Sequence, residues 1–204
     1  MALTPKRTGL LILSGLLALA LVVVVVLLIP PGSALAGVLR AGALLGYLAV
    51  FLASLSSLYL RELTQYFGRS FVKVHHMVSV TALVALTLHA VSAAWQSGTV
   101  AVFLPSFASL RSFLALGGRP ALWLIAIAAL TALFRTAVGR NWRIIHWLNY
   151  LAFFLGTIHG QLIGTSFNAL VVRIVSGLMA LVLLVVFVVK RVRASRRRQR
   201  RARR

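Results

Sequence analysis

The chain alternates long apolar runs with short polar breaks, and each run is long enough to cross a lipid bilayer. A helix of about twenty apolar residues spans the ~30 Å hydrocarbon core. The pattern predicts six such helices, at residues 9–30, 38–60, 72–95, 120–137, 144–165 and 168–189. We therefore expect an all-α membrane protein: a bundle of six transmembrane helices over residues 1–189, followed by a polybasic tail over residues 190–204.

Proline and glycine mark the breaks between these helices. Pro30, Pro31 and Gly32 separate the first two apolar runs, and the cluster RELTQYFGRS ends the second. The longest connection, 96–119, contains Pro105 and the apolar stretch VAVFLPSFASLRSFLAL. We predict that part of this connection forms a short helix along the membrane surface and covers one end of the bundle.

The N-terminus has two interpretations. MALTPKRTGLLIL followed by SALAG resembles a secretory signal peptide with a small-residue cleavage site. Its apolar run exceeds twenty residues, whereas signal peptides carry roughly 7–15. We expect a retained first helix; cleavage is the alternative, and it would leave the later helices unchanged.

The composition supports a membrane protein and excludes several kinds of site. The chain is 61% hydrophobic and 11% charged, whereas soluble domains are about 25% charged. The absence of cysteine excludes disulfides, thiolate-bound iron–sulfur clusters and covalently attached c-type haem. The only acidic residue, Glu62, lies at the end of a predicted span, which argues against a proton or cation transporter.

The basic residues indicate how the chain is oriented. With a cytoplasmic N-terminus, eighteen of the 22 Lys and Arg residues fall on the cytoplasmic side, as the positive-inside rule requires. The other four are Arg40, Arg111, Arg119 and Arg173. We expect a multi-pass plasma-membrane protein with both termini in the cytoplasm. Since basic residues outside the tail flank apolar runs as topology signals do, we expect no nucleic-acid partner.

The tail, KRVRASRRRQRRARR, holds ten of the 22 basic residues. It has no apolar period, so we predict that it is disordered until it binds anionic lipid or an acidic donor protein.

Four histidines form two nearly equal pairs on the third and fifth predicted helices. His75 and His89 are fourteen residues apart, and His146 and His159 are thirteen apart. Each pair would extend over ~20 Å of helix, most of the hydrocarbon core. Because these two helices run in the same direction in the predicted topology, His75 would share a depth with His146, and His89 with His159. Each couple of imidazoles could bind one haem iron from both sides, giving two non-covalent, stacked haems.

Helical geometry suits the two pairs unequally. Fourteen residues bring His75 and His89 to one face, whereas thirteen leave His146 and His159 about 140° apart on an ideal helix. Overwinding, a kink or a tilt must supply the difference. His76 is an alternative ligand to His75, although face geometry favours His75 and would make His76 a neighbouring polar group.

Haem propionates are anions and require cationic partners. Candidate partners are Arg69 and Arg143 near the cytoplasmic end, and Arg40 and Arg173 near the outer end. Ordinary topology charges would explain the cytoplasmic group equally well. Arg173 is expected several residues inside an apolar span, where an unpaired cation is costly. Phe153 and Phe154, midway between His146 and His159, would either lie between the haems or serve as plain packing residues.

These residues resemble the ferric reductase-like transmembrane domain of NADPH oxidases, ferric-chelate reductases and the haem-binding membrane subunit of a bacterial methionine sulfoxide reductase system. The resemblance rests on HHMVSVTALVALTLH and HWLNYLAFFLGTIHG, including both spacings and Gly160. It implies a six-helix core in which His75, His89, His146 and His159 bind iron and two haem b groups. Oxidases carry a further histidine at the position of Ala93, so dedicated superoxide production is not expected.

The combined expectation is a diheme b-type cytochrome, the membrane electron-transfer subunit of an oxidoreductase. Electrons would come from a separate flavoprotein or a quinol and reach ferric iron or a partner oxidoreductase outside. Family members with flavin and nicotinamide domains extend further, so we expect this chain not to take hydride from NADPH itself. FMN or a quinone is a further candidate cofactor. The alternative function is a non-haem membrane transporter or assembly factor.

Overall fold

The computed structural model describes residues 32–68 and 70–202, and within them the chain is helical, with no strand. The α-helices are α1 Ala34–Ser57, α2 Leu60–Phe67, α3 Val72–Ser97, α4 Leu110–Ala115, α5 Gly118–Leu133, α6 Arg135–Val138, α7 Trp142–His146, α8 Leu148–Ile163 and α9 Leu170–Ala202. Short 3₁₀ turns cover Val100–Phe103, Gly139–Asn141 and Thr165–Asn168.

Three described helices are long and apolar enough to cross a membrane. They cover Ala34–Ser57, Val72–Ser97 and Leu170–Arg196. A fourth candidate is Gly118–Leu133 with Arg135–His146, but these two parts are bent by 87°. The all-helical class is thus confirmed for the described residues, three or four helices are suited to span a membrane, and six spans remain a prediction. The predicted span 9–30 lies outside the described residues.

Local sequence accounts for where several helices begin and end. Ser33 caps α1 by accepting a hydrogen bond from the Ala36 amide, 3.1 Å away. Ser109 caps α4 through the Ser112 amide at 3.0 Å. Gly98 ends α3 with φ of 64°, a left-handed conformation that glycine adopts without strain.

Small residues bring the long helices together in antiparallel pairs. α1 packs along α3 at Gly42, where a Cβ would lie 2.7 Å from the carbonyl oxygen of Ala85. α5 approaches α8 at Gly117, where a Cβ would lie 2.9 Å from the carbonyl oxygen of Leu155. Such close backbone approach is how membrane helices gain packing without a hydrophobic driving force.

The bundle has two ends, which we name by their residues. The lower end carries Glu62, Trp147 and Lys190, and the upper end carries Ser97 and Leu170. Helices α1 and α9 run from the upper end to the lower end, and α3 and α8 run from the lower end to the upper end. Phe153 and Leu183 are the largest fully buried side chains among the described residues.

The tail does not follow the prediction of disorder. α9 continues without a break from the apolar span through the predicted boundary at 189–190 to Ala202. A helix that extends an existing helix avoids the cost of nucleation, and Arg, Gln and Ala have high helix propensity. Apolar periodicity therefore was the wrong criterion for this segment.

Candidate functional site

His75 and His146 meet at the lower end of the bundle. Their ring centres are 6.3 Å apart, with the ring planes at 70°. His75 lies on α3 and is 9% exposed. His146 is the last residue of α7, and its Nδ1 donates to the carbonyl of Ala128 on α5 at 3.1 Å. We call these two residues the lower couple.

The Nδ1 atom of His75 is the exception within the couples. It is buried, and the described part of the chain offers it no partner in hydrogen-bond geometry. The Ala53 backbone on α1 interacts with this ring but falls outside that geometry.

His89 and His159 form the upper couple. The Nδ1 atom of His89 donates to the carbonyl of Leu39 on α1 at 2.9 Å. The Nδ1 atom of His159 donates to the carbonyl of Ala115, at the end of α4, at 2.7 Å. The two imidazoles are near enough to interact electrostatically. The connection 98–117 thus covers the upper end and also supplies an acceptor that orients His159.

These hydrogen bonds determine which ring nitrogen carries the proton. A carbonyl oxygen can only accept, so Nδ1 is the protonated nitrogen of His89 and His159. His146 Nδ1 also lies 3.4 Å from the Asn149 side-chain nitrogen, and its shorter contact with the Ala128 carbonyl, 3.1 Å, favours the same tautomer. In the neutral ring, Nε2 then keeps its lone pair. This is the arrangement in which metal-binding histidines are usually held, with the second nitrogen fixed by a carbonyl.

The spacing of the lower couple also fits two ligands on one metal ion. With imidazole–metal bonds of ~2.0–2.1 Å and a ring centre roughly 1.1 Å from its nitrogen, two imidazoles on opposite sides have centres ~6.3 Å apart. His75 and His146 have that separation. Within residues 32–68 and 70–202, no three His, Asp or Glu side chains group to hold a metal ion by themselves. A haem needs only two, because its porphyrin supplies the other four nitrogens.

The structure separates His75 from the alternative ligand, His76. His75 is buried and faces His146, whereas His76 is exposed, about 100° further round α3. The ring centres of the two neighbours are 6.0 Å apart. The placement favours His75 as the residue paired with His146.

A break at Trp147 relieves the unfavourable spacing between His146 and His159. The two histidines lie on separate helices, α7 and α8, with Trp147 between them. The Trp147 amide donates to the carbonyl of Ile144 at 3.1 Å, and the Tyr150 amide donates to that of Trp147 at 3.0 Å. These three-residue bonds overwind the chain by ~20° per residue relative to an α-helix. Local overwinding therefore supplies part of the rotation.

An aromatic layer lies between the two couples. The ring of Phe153, on α8 between His146 and His159, stacks on Tyr47 of α1 with centres 4.9 Å apart. Phe51 and Phe154 flank Phe153 at 5.9 and 5.8 Å. The Tyr47 hydroxyl pairs with Thr157 Oγ1 at 3.0 Å. The rings pack against one another, and the contribution from α1 has no signal in the sequence.

The candidate propionate partners are spread over both ends. Arg40 follows Leu39, the acceptor for His89, and is partly buried. Arg143 is exposed on α7, with its guanidinium carbon 5.3 Å from the centre of the Trp142 ring. Arg69 lies outside the described residues.

Arg173 stands nearer the start of its helix than the sequence predicted. α9 begins at Leu170, so Arg173 lies in its first turn, three residues from the start rather than the five of the predicted span. Its side chain is exposed, and its Nε donates to the Gln161 side-chain oxygen at 3.2 Å. Arg173 therefore has a polar partner at the upper end of α9.

Arg119 is a residue that the sequence reasoning treated only as a topology charge. Its guanidinium interacts electrostatically with His159 and donates to the carbonyl of Leu104 at 3.2 Å. Its position in GGRP, at the start of α5, carried no specific signal.

The contact between α1 and α3 did have a signal in the sequence that the sequence reasoning missed, since Gly42 and Gly46 form a GxxxG pair.

Comparison of the chain with protein-family models, with curated proteins and with solved structures finds no match. The resemblance to the ferric reductase-like domain therefore rests on the sequence motifs alone and stays a prediction.

Proposed function

We propose that this protein is a diheme b-type cytochrome that moves electrons across a membrane. His75 and His146 would hold one haem b, and His89 and His159 the other. The observation that carries the proposal is the lower couple, whose ring centres have the separation of two imidazoles on one iron. The carbonyl bonds to the Nδ1 atoms of the other three histidines support it.

The chain's own groups prepare three of the four ligands, His89, His146 and His159, in the same way. A carbonyl on a different helix accepts the Nδ1 proton and fixes both the tautomer and the ring direction. The Nε2 lone pair would then be available to an iron without a change in the orientation of the ring. When bound, a haem held by two neutral imidazoles supplies one-electron transfer at its iron.

The packing between the couples excludes water. Ala128, Ala152, Phe153 and Leu183 are almost completely buried. A dry, low-dielectric layer strengthens local electrostatics and keeps solvent from the ligands. The Tyr47–Phe153 stack fills the level midway between the couples and keeps them apart.

Arginines near both couples are suited to carboxylates. Arg40, Arg119 and Arg173 lie at the upper end, and Arg69 and Arg143 are close in sequence to the lower couple. A guanidinium presents paired donors that match a carboxylate. We propose that haem propionates are held by members of these two groups.

The distribution of Lys and Arg residues is the basis for the proposed topology and membrane location. We propose six spans, with the lower end and both termini in the cytoplasm, in a multi-pass plasma-membrane protein. The excess of basic residues at the lower end supports this orientation. α5 and α8 have sixteen residues each, a length of ~24 Å, which is sufficient when polar end residues extend to the interface.

The donor and acceptor belong to other molecules in this proposal. A cytoplasmic flavoprotein or a quinol would deliver electrons at the lower couple, with FMN or a quinone as intermediary. Ferric iron or a partner oxidoreductase would take them at the upper couple. The protein would thus be an electron-transfer subunit of the ferric reductase-like kind.

The test is the reduced-minus-oxidised spectrum of the purified full chain, with haem quantified as its pyridine haemochrome. We expect the sharp α band of a low-spin b-type haem and close to two haems per chain, all removed by acid–acetone. A haem-free chain from haem-replete cells would refute the proposal.

A further inference from the structure

Helix α9 leaves the lower end of the bundle through two sets of contacts. Lys190 Nζ forms an ion pair with Glu62 and lies 4.0 Å from the centre of the Tyr59 ring. The guanidinium carbon of Arg191 lies 3.6 Å from the centre of the Trp147 ring. Aromatic rings and the heads of long cations collect at the level of lipid headgroups. Lys190 and Arg191 therefore mark where α9 leaves the hydrocarbon.

The helix beyond this point carries charge that the chain cannot neutralise. Glu62 is the only acidic residue in the sequence, and Lys190 already pairs with it. Arg193, Arg196 and Arg200 are exposed further along α9. Like charges four residues apart on a helix, such as Arg196 and Arg200, repel each other. An external anionic surface would stabilise this helix.

Geometry favours a protein surface over the bilayer as that partner. Arg196 and Arg200 follow Lys190 by ~9 and ~15 Å along the helix axis. The headgroup layer is only ~5–8 Å thick on each side, and charges are screened over ~8 Å. Basic helices that bind lipid lie in the plane of the interface, whereas this one continues its own span outward. The Cα atoms of its distal arginines therefore lie beyond the headgroup layer.

We propose that residues 190–202, the basic extension, dock the acidic face of a soluble protein, and that this protein is the electron donor. The second half of the inference rests on the proposed function. The root of the extension contacts Trp147, which directly follows His146 of the lower couple and is 38% exposed. A donor bound here is therefore placed beside the lower couple.

The chain has no cysteine, so one introduced cysteine can carry a label at a known position. We would label Ser195→Cys in the basic extension with a fluorophore and place the full chain in nanodiscs of phosphatidylcholine. The probe is poly-L-glutamate, and Ser97→Cys, exposed at the upper end, is the matched control. We expect a saturable, salt-sensitive response at residue 195 and none at residue 97. Equal responses at both positions, or none, would overturn the docking surface.

Charge variants test which residues bind the probe. In the Ser195→Cys background, Arg193→Glu, Arg196→Glu and Arg200→Glu together should weaken poly-L-glutamate binding by about tenfold or more. The three corresponding Arg→Lys substitutions keep the charge and should change it little. An undiminished affinity in the Glu variant would contradict the assignment to these side chains.

A second label distinguishes the bilayer as the partner. A nitroxide on Ser195→Cys reports contact with lipid through its exposure to oxygen and to a water-soluble nickel complex. We expect residue 195 to stay in water when phosphatidylserine is added to the nanodiscs. Burial of the label in phosphatidylserine discs would show that the extension lies on the membrane and would overturn the inference.

The donor role is tested separately with photoreduced flavodoxin, an acidic one-electron carrier, as the probe. Haem reduction at low salt should be about tenfold slower in the Glu variant, while reduction by dithionite stays unchanged. Equal flavodoxin rates would overturn the donor role. Because poly-L-glutamate binding involves no haem, a haem-free chain that binds it refutes only the proposed function. A haem-loaded chain that ignores it refutes only the docking surface.

Discussion

Gly118 lies directly against the imidazole of His159. A Cβ on Gly118 would come within 2.9 Å of the His159 Cδ2 and 3.0 Å of its Nε2. Cβ atoms do not normally approach that closely. The same ring is held through Nδ1 by the carbonyl of Ala115. The missing side chain at position 118 is thus part of how the upper couple is built.

Gly118→Ala is expected to displace His159 and lower the haem content from two per chain toward one. The added methyl group would collide with the edge of the ring that carries Nε2, the nitrogen available to iron, so the ring must shift, while the Ala115 bond resists that shift. Pyridine haemochrome analysis measures the loss. Gly156→Ala is the matched control, because nothing lies within 4 Å of the added Cβ, and it should keep both haems. Equal haem content in the two variants would contradict the role of Gly118.

The two neighbouring histidines of α3 should differ sharply when they are replaced. His75→Ala is expected to lose the lower haem, because a bis-imidazole site cannot keep low-spin iron with one ligand. His76→Ala should retain both haems, since His76 is exposed and His75 faces His146. The readouts are haem per chain and the low-spin signal in electron paramagnetic resonance. The opposite result would place the ligand at His76.

Gly42→Ala should destabilise the α1–α3 pair. The added Cβ would lie 2.7 Å from the Ala85 carbonyl oxygen and 3.0 Å from the His89 amide nitrogen, both backbone atoms that cannot turn aside. Overpacking of this kind costs roughly 1–3 kcal/mol. The measurement is the apparent melting temperature in detergent. Gly177→Ala has no atom within 4 Å and should leave it unchanged or slightly higher; a matching drop there would show that helix glycines are sensitive in general.

The ion pair between Glu62 and Lys190 should make stability depend on pH. Burial alone would raise the pKa of Glu62, but the hydrogen bond and charge of Lys190 outweigh it, so the pKa falls below the ordinary value of 4.5. The stabilisation is complete above the ordinary pKa and is lost as the pH falls through the lowered one. Glu62→Gln should therefore lower the free energy of unfolding by roughly 0.2–1 kcal/mol at pH 7 and by less in acid.

Lys190→Gln and the double variant complete a cycle for this ion pair. If the Glu62 carboxylate and the Lys190 ammonium group stabilise each other, the double variant should lose less stability than the sum of the losses in the two single variants. Apparent melting temperatures at pH 7 and in acid supply the four values. Additive losses at pH 7 would show that the contact contributes nothing measurable.

Much of the site was accessible to sequence reasoning because it depends on spacing. His75 and His89 share a face at fourteen residues, and the structure indeed brings His75 to His146. The orientation of the rings was not accessible. The acceptors Leu39, Ala115 and Ala128 act through backbone carbonyls, which every residue possesses, so nothing marks them in the sequence.

Other features failed for identifiable reasons. The helical tail was missed because its continuation depends on the preceding span rather than on its own apolar pattern. The bend between α5 and Arg135–His146 was not predicted, because the apolar pattern carried the fourth span on to residue 137 and hydropathy contains no information on helix direction. Arg173 lies three rather than five residues inside its helix, because α9 begins at Leu170 and not at the predicted residue 168.

The sequence by itself determined the helical membrane class, the pairing of histidines by spacing and the concentration of basic charge at one end. These properties follow from composition and period, which do not depend on how helices pack. Only the tertiary structure decided that His75 rather than His76 faces His146, that Trp147 separates His146 from His159, and that Glu62 pairs with Lys190. Each of these depends on the rotation and close approach of helices far apart in sequence, which is set by backbone contacts at small residues such as Gly42 and Gly117.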